Sequence, residues 1–141
     1  KSPLFDIGQT KPNKNVPWAK SFMSIKDQLN YKFIFCLEGK CISTNLYWAM
    51  SSNSICVMPK PKYESWFMEG KLKDGVHYIE VEDDFYNAEE KIAFYINKND
   101  KCLEIINNAQ KFVRQFNDVK RERLIQLLIL KQYFKLTGQY E

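Results

Sequence analysis

The residue types best suited to holding a phosphorylated ligand crowd between positions 39 and 45, where Gly39, Lys40, Ser43, Thr44 and Asn45 lie close together. A glycine lets the backbone turn tightly and lets a ligand approach it, and a helix N-terminus just beyond would add unpaired N–H groups and a partial positive charge. Ser43 and Thr44 supply hydroxyl donors, Asn45 an amide and Lys40 a cation, which is the set a diphosphate needs. The same residues also read as a cap, with Ser43 and Thr44 decorating a first helical turn. Further on, Lys60, Lys62, Tyr63 and Trp66 offer charge and aromatic faces to a nucleotide base, or pack a long loop onto the core. His77 reads as an acid, base or phosphate donor, or as a hydrogen-bonded structural residue. Glu38, Glu64, Glu69, Asp83 and Asp84 are available carboxylates, but no spacing among them marks out a catalytic pair.

Metal chemistry has little to build on. Cys36, Cys41, Cys56 and Cys102 form no C-x-x-C pair and are distant in sequence from His77, the single histidine, so no zinc site is expected. The absence of Asp-x-Asp disfavours a manganese site in this portion, and no cofactor is expected. Cys36, Cys56 and Cys102 sit in apolar runs where thiols act as small hydrophobes; all four are read as reduced, which points to the cytoplasm.

These residues need elements to position them. Residues 1–22 read as irregular, with Pro3, Pro12 and Pro17 excluding a long helix, and Ser24 followed by Asp27 and Gln28 starts a short one reaching about Asn30. Residues 33–37 are apolar on both faces, as in a strand of a parallel sheet, and residues 54–58 repeat the pattern. A helix over 42–50 between them completes a βαβ unit. A third strand is predicted near 77–81, followed by helices over about 85–97, 101–116 and 119–136, the middle one with the cleanest amphipathic pattern and the last ending near Gly138. The predicted fold is α/β, a Rossmann-like parallel sheet flanked by helices. Ligands of such sheets bind beyond the carboxyl ends of the strands, so residues 39–45, 59–67 and 75–78 are expected to converge on one site.

The 141 residues suffice for one compact domain over 1–141, with an irregular segment over 1–22 and a C-terminal helix within 118–141. Hydrophobic content of 45% and aromatic content of 15% argue against disorder. No apolar run approaches the ~20 residues that cross a bilayer, and the polar opening does not read as a signal peptide, so a soluble chain is expected. A net charge of +4 would help the surface meet a phosphorylated substrate or an anionic membrane without specifying either. The chain begins at Lys1 rather than methionine, which fits a processed product or an excised domain.

Blocks of the sequence resemble the bacterial branch of glycosyltransferase family 90, which includes the lipopolysaccharide A-type transferases. The resemblance is carried by residues 31–34 (YKFI), Glu38-Gly39, residues 43–48 (STNLYW), 51–54 (SSNS), 57–70 (VMPKPKYESWFMEG) and 77–79 (HYI), with a further segment at 6–9 (DIGQ). It implies the C-terminal, donor-binding half of a two-domain GT-B-like enzyme that transfers sugar from a nucleotide donor, usually UDP-linked, with inversion. The family's donor-contacting segment G-x-x-x-S-x-R places its glycine on Gly39, its serine on Ser43 and its arginine on Asn45, with Lys40 a candidate for the missing positive charge. The catalytic aspartate of the relatives belongs to the upstream half and matches no residue here, so the catalytic residues are left open. The implied partners are a UDP-sugar, a lipopolysaccharide-core or other glycan acceptor and the upstream domain, with no nucleic acid and with peripheral association at the inner membrane. A second reading, from a different class, is a non-catalytic α/β module that binds protein or nucleic acid through its basic, aromatic loop.

Overall fold

The computed structural model describes residues 3–10 and 16–139; Pro12 and the chain ends lie outside the described residues. Its centre is a three-stranded parallel sheet in the order β1-β2-β3, with β1 at Phe33–Phe35, β2 at Ile55–Met58 and β3 at Ile79–Glu80. Phe33 pairs with Ile55 and Phe35 with Val57, while Val57 pairs in turn with Ile79. The α/β class and the parallel sheet are therefore as the apolar runs imply.

Strand alternation sorts the core into two layers. Ile34, Cys36, Cys56, Met58 and Tyr78 face one side. They meet Leu46, Ala49 and Met50 of helix α2 (Leu46–Met50) and Ala109 and Val113 of helix α4 (Asn99–Arg114). Ile55, Val57, Ile79 and Val81 face the other side, against Ala88 and Ile92 of helix α3 (Ala88–Ile96) and Cys102 and Ile105 from the first half of α4. One amphipathic helix thus feeds both layers. The four cysteines are free, and only Cys41 is exposed.

Several elements start later or stop earlier than the pattern suggests. Helix α1 (Ile25–Gln28) has the expected cap, with Ser24 Oγ accepting from the Asp27 N–H. Helix α2 begins at Leu46 rather than near Ile42, because Ser43 Oγ donates to Asn45 Oδ1 (2.5 Å) and Asn45 Nδ2 donates to the Phe35 carbonyl (2.9 Å). Such side-chain bonds hold the segment in a turn and compete with the helical ladder. Helix α3 starts at Ala88 because Phe85 is left-handed (φ 60°) and Asn87 Oδ1 accepts from the Glu82 N–H. The last helix, α5 (Val119–Leu136), is capped by Asp118 and buries none of its residues. Among the described residues no helix is long and apolar enough to cross a membrane.

Candidate functional site

Residues leaving the carboxyl ends of all three strands enclose a cavity of about 320 Å³. Cys36, Glu38 and Gly39 come from the end of β1, Met58 and Pro59 from the end of β2, and Asp83 and Phe85 from beyond β3. Loops at such a position need tying down, and Glu38 does so. Its carboxylate accepts from the N–H groups of Lys62 (3.1 and 3.2 Å) and Tyr63 (3.2 Å), which fixes the loop after β2 over the end of β1. Glu69, buried at the cavity wall, accepts from the Ser65 N–H and Oγ, both at 2.7 Å, and so fixes the next bend of the same loop. Lys62 Nζ bonds Asp83 at 2.8 Å across the rim, and that carboxylate raises the lysine's pKa. On the floor, the Cys36 thiol is pushed well up by its hydrogen bond with Cys56 and by burial, which keeps it a neutral thiol.

Two described residues other than glycine are left-handed, Phe85, which lines this cavity, and Met68, which packs against the core one residue before the lining Glu69. Backbone strain of that kind persists only where the surroundings enforce it, and it concentrates at functional sites. Gly39 supplies the complementary observation. Its φ is not positive, and a Cβ built on it would meet nothing within 4 Å. Neither a turn nor packing inside the chain therefore demands a glycine there, whereas a ligand that must approach the backbone closely would.

Of the residues singled out in the sequence for ligand binding, Gly39, Ser43, Lys62 and Tyr63 line the cavity; Lys40, Thr44, Asn45, Lys60, Trp66 and His77 do not. Asn45 is occupied with Ser43 and Phe35, so it braces the turn that presents Ser43. Trp66 lies in an aromatic cluster, with ring centroids 5.5 Å from Tyr47, 5.7 Å from Phe67 and 5.5 Å from Phe116. His77 sits at the wrong end of the sheet for a shared site. Strand register places it level with Ile55 and Phe33, at the amino ends, because it precedes β3 by two residues. There its Nδ1 accepts from the Lys73 N–H (3.1 Å) and its ring lies 5.3 Å from that of Phe112, while burial and then Lys73 lower its pKa. The expected convergence of 75–78 with the other two segments is thereby corrected. Conversely, Glu38, Glu69 and Asp83 emerge as wall residues. Only the position of Glu38 directly after an apolar strand hinted at this, and Phe85 carried no signal, being a bulky residue in a conformation that favours glycine.

Residues 7–140 match the sequence profile of glycosyl transferase family 90. The chain belongs to this family. Over 135 residues this family 90 chain is 44% identical to the O-glucosyltransferase LpsA of Dichelobacter nodosus, a match that covers 95% of the chain and 42% of that protein. It is also 28% identical over 107 residues to the uncharacterized protein 179R of Invertebrate iridescent virus 6, covering 71% of the chain and 9% of the viral protein. The family 90 segment thus spans about two fifths of the length of LpsA.

Proposed function

We propose that the chain is the donor-binding portion of a family 90 glycosyltransferase, and that the nucleotide sugar occupies the cavity beyond the carboxyl ends of β1, β2 and β3. The observation that carries this reading is Gly39, a glycine with no intramolecular reason to be one, at the mouth of that cavity. The Gly39 N–H is bonded to the Cys41 carbonyl (3.1 Å) and the Ser43 hydroxyl to Asn45 Oδ1 (2.5 Å), so each becomes a donor to a diphosphate by exchanging that partner for the ligand, with Lys40 on the adjoining turn as counter-charge. Glu38, Glu69 and Asp83 line the cavity, and carboxylates suit the hydroxyls of a ribose or hexose better than phosphate oxygens. The name of the 44% identical relative supports glucose as the transferred sugar and an oxygen as its acceptor. UDP as the leaving nucleotide, a lipopolysaccharide-core acceptor, inversion and a two-domain GT-B-like whole follow from the family resemblance.

In an inverting transfer a base deprotonates the acceptor hydroxyl while the leaving diphosphate is stabilised on the opposite side. This chain offers the second function. Its cavity carboxylates already accept hydrogen bonds from loop N–H groups or from Lys62 and hold the site's shape, so the base is assigned to another part of the enzyme. Calorimetric titration of UDP tests the reading: the chain binds UDP, and Gly39→Ala and Ser43→Ala each weaken binding at least fivefold, about 1 kcal/mol. Effects below about twofold in both variants refute the site. Transfer from UDP-glucose to a lipopolysaccharide-core acceptor is expected only when the rest of the enzyme is present, and robust turnover by this chain refutes the division of labour.

A further inference from the structure

The cavity beyond the strand ends is lined by three carboxylates, Glu38, Glu69 and Asp83, against one cation, Lys62. Lys40, on the turn beside Gly39, stands outside the lining. Glu38 and Glu69 are committed to loop N–H groups, so their charges are fixed in the wall. The Gly39 N–H and the Ser43 hydroxyl are neutral donors. A ligand carrying several negative charges is therefore repelled by this wall unless a cation turns toward it.

Lys62 is placed to be that cation. Its backbone is held firmly: Pro59 and Pro61 stiffen the approach, and its N–H donates to both oxygens of Glu38 (3.2 and 3.1 Å). Its side chain is held loosely. Among the described residues the ammonium makes one hydrogen bond, to Asp83 Oδ2 at 2.8 Å, and the two side chains are 62% and 65% exposed. An ion pair so open to water contributes little to stability, and a partner of higher charge density displaces it at small cost. Both members belong to the lining, so the exchange takes place inside the site. An anchored backbone with a loosely tethered head lets a residue reach a ligand without rebuilding its loop.

We propose that Lys62 is a specificity-determining residue for the donor: its ammonium leaves Asp83 for the diphosphate when the nucleotide enters, and Asp83 is left to water. The proposal rests on the donor-binding reading of the cavity. It makes the Lys62–Asp83 pair a competitor of the ligand rather than part of the scaffold. The two halves of the pair then act in opposite directions. Removing the lysine takes a partner from the phosphate, whereas neutralising the carboxylate removes a rival for the lysine.

Calorimetric titration of UDP tests this on the chain, with uridine, followed by NMR shift changes, as the phosphate-free probe. In Lys62→Ala UDP affinity is expected to fall about fivefold with uridine affinity unchanged, and in Lys62→Arg to stay within about twofold of the native chain. In Asp83→Asn, which keeps an acceptor but not the charge, UDP affinity is expected to rise about twofold, again with uridine unchanged. A purely structural tie across the rim gives a different pattern, with UDP and uridine affinity lost alike in Lys62→Ala and Asp83→Asn. That pattern overturns the proposal, as does a Lys62→Ala chain that binds UDP like the native one. If UDP binding is weakened by Gly39→Ala but indifferent to both changes at the pair, the donor site stands and this role falls. If the native chain binds no UDP, the donor reading itself fails and takes this role with it.

Discussion

The carboxyl and amino ends of the sheet are built from similar residues to opposite effect. At the carboxyl ends, Glu38 and Glu69 reach across loops to backbone N–H groups and hold a cavity open, with Phe85 strained beside it. At the amino ends, polar groups turn inward and close the structure. His77 accepts from Lys73, and Gln110 Nε2 donates to the Ser52 carbonyl at 2.9 Å. Tyr78, immediately before β3, is buried and donates to Glu80 at 2.6 Å, and burial together with that carboxylate raises its pKa. A hydrogen bond that satisfies its own neighbourhood makes core, whereas one that fixes a loop at a distance makes a site.

The largest expected stability change is at the carboxyl end. Glu69→Ala leaves the half-buried Ser65 donors without their acceptor and is expected to destabilise the chain by about 2 kcal/mol in urea unfolding, while also weakening UDP binding. Tyr78→Phe, toward the amino end, removes one buried hydrogen bond and is expected to lower stability by about 1 kcal/mol with UDP affinity unchanged. Loss of UDP binding in Tyr78→Phe would erase the contrast between the two ends.

A smaller effect concerns pH. The folded state lowers the pKa of His77 from 6.5, so the unfolded chain takes up the proton more readily. The stability contributed by neutral His77 is therefore complete above about pH 6.5 and is lost as pH falls through the lowered folded value. Partial exposure keeps the loss small. Urea midpoints at pH 7.5 and 5.5 should show it in the native chain and not in His77→Asn, which keeps an acceptor for the Lys73 N–H. The smallest stability effect belongs to Gly39→Ala, within about 0.5 kcal/mol of the native chain or slightly stabilising, since the added Cβ meets nothing. Paired with weakened UDP binding, that result separates a site residue from a structural one.

The sheet was legible because two short apolar runs, 33–37 and 54–58, admit little but buried strands, and α4 because Cys102, Ile105, Ala109 and Val113 recur on one helical face. The place of His77 was not legible, because it depends on which residues of β2 and β3 lie level, and register is a property of the assembled sheet. The start of α2 was hidden in side-chain bonds of Ser43 and Asn45 that compete with helix on nearly equal terms. Glu38 and Glu69 were visible as acids but not as clamps. The groups Glu38 holds lie about two dozen residues further along the chain, and no local pattern encodes that span.

Helix α5 has a consequence for handling the protein. It displays Leu127 (63% exposed), Leu128 and Ile129 (62%) on successive faces, so apolar surface runs around its middle and no orientation presents only charge to water. A chain with such a rod on its outside is sticky at high concentration whatever the stability of its core. Its sedimentation coefficient is expected to climb with concentration, and Leu127→Glu with Ile129→Glu to flatten that climb without lowering the melting temperature. Crystallisation and solution spectroscopy of this segment would then be limited by α5 rather than by the fold it hangs from.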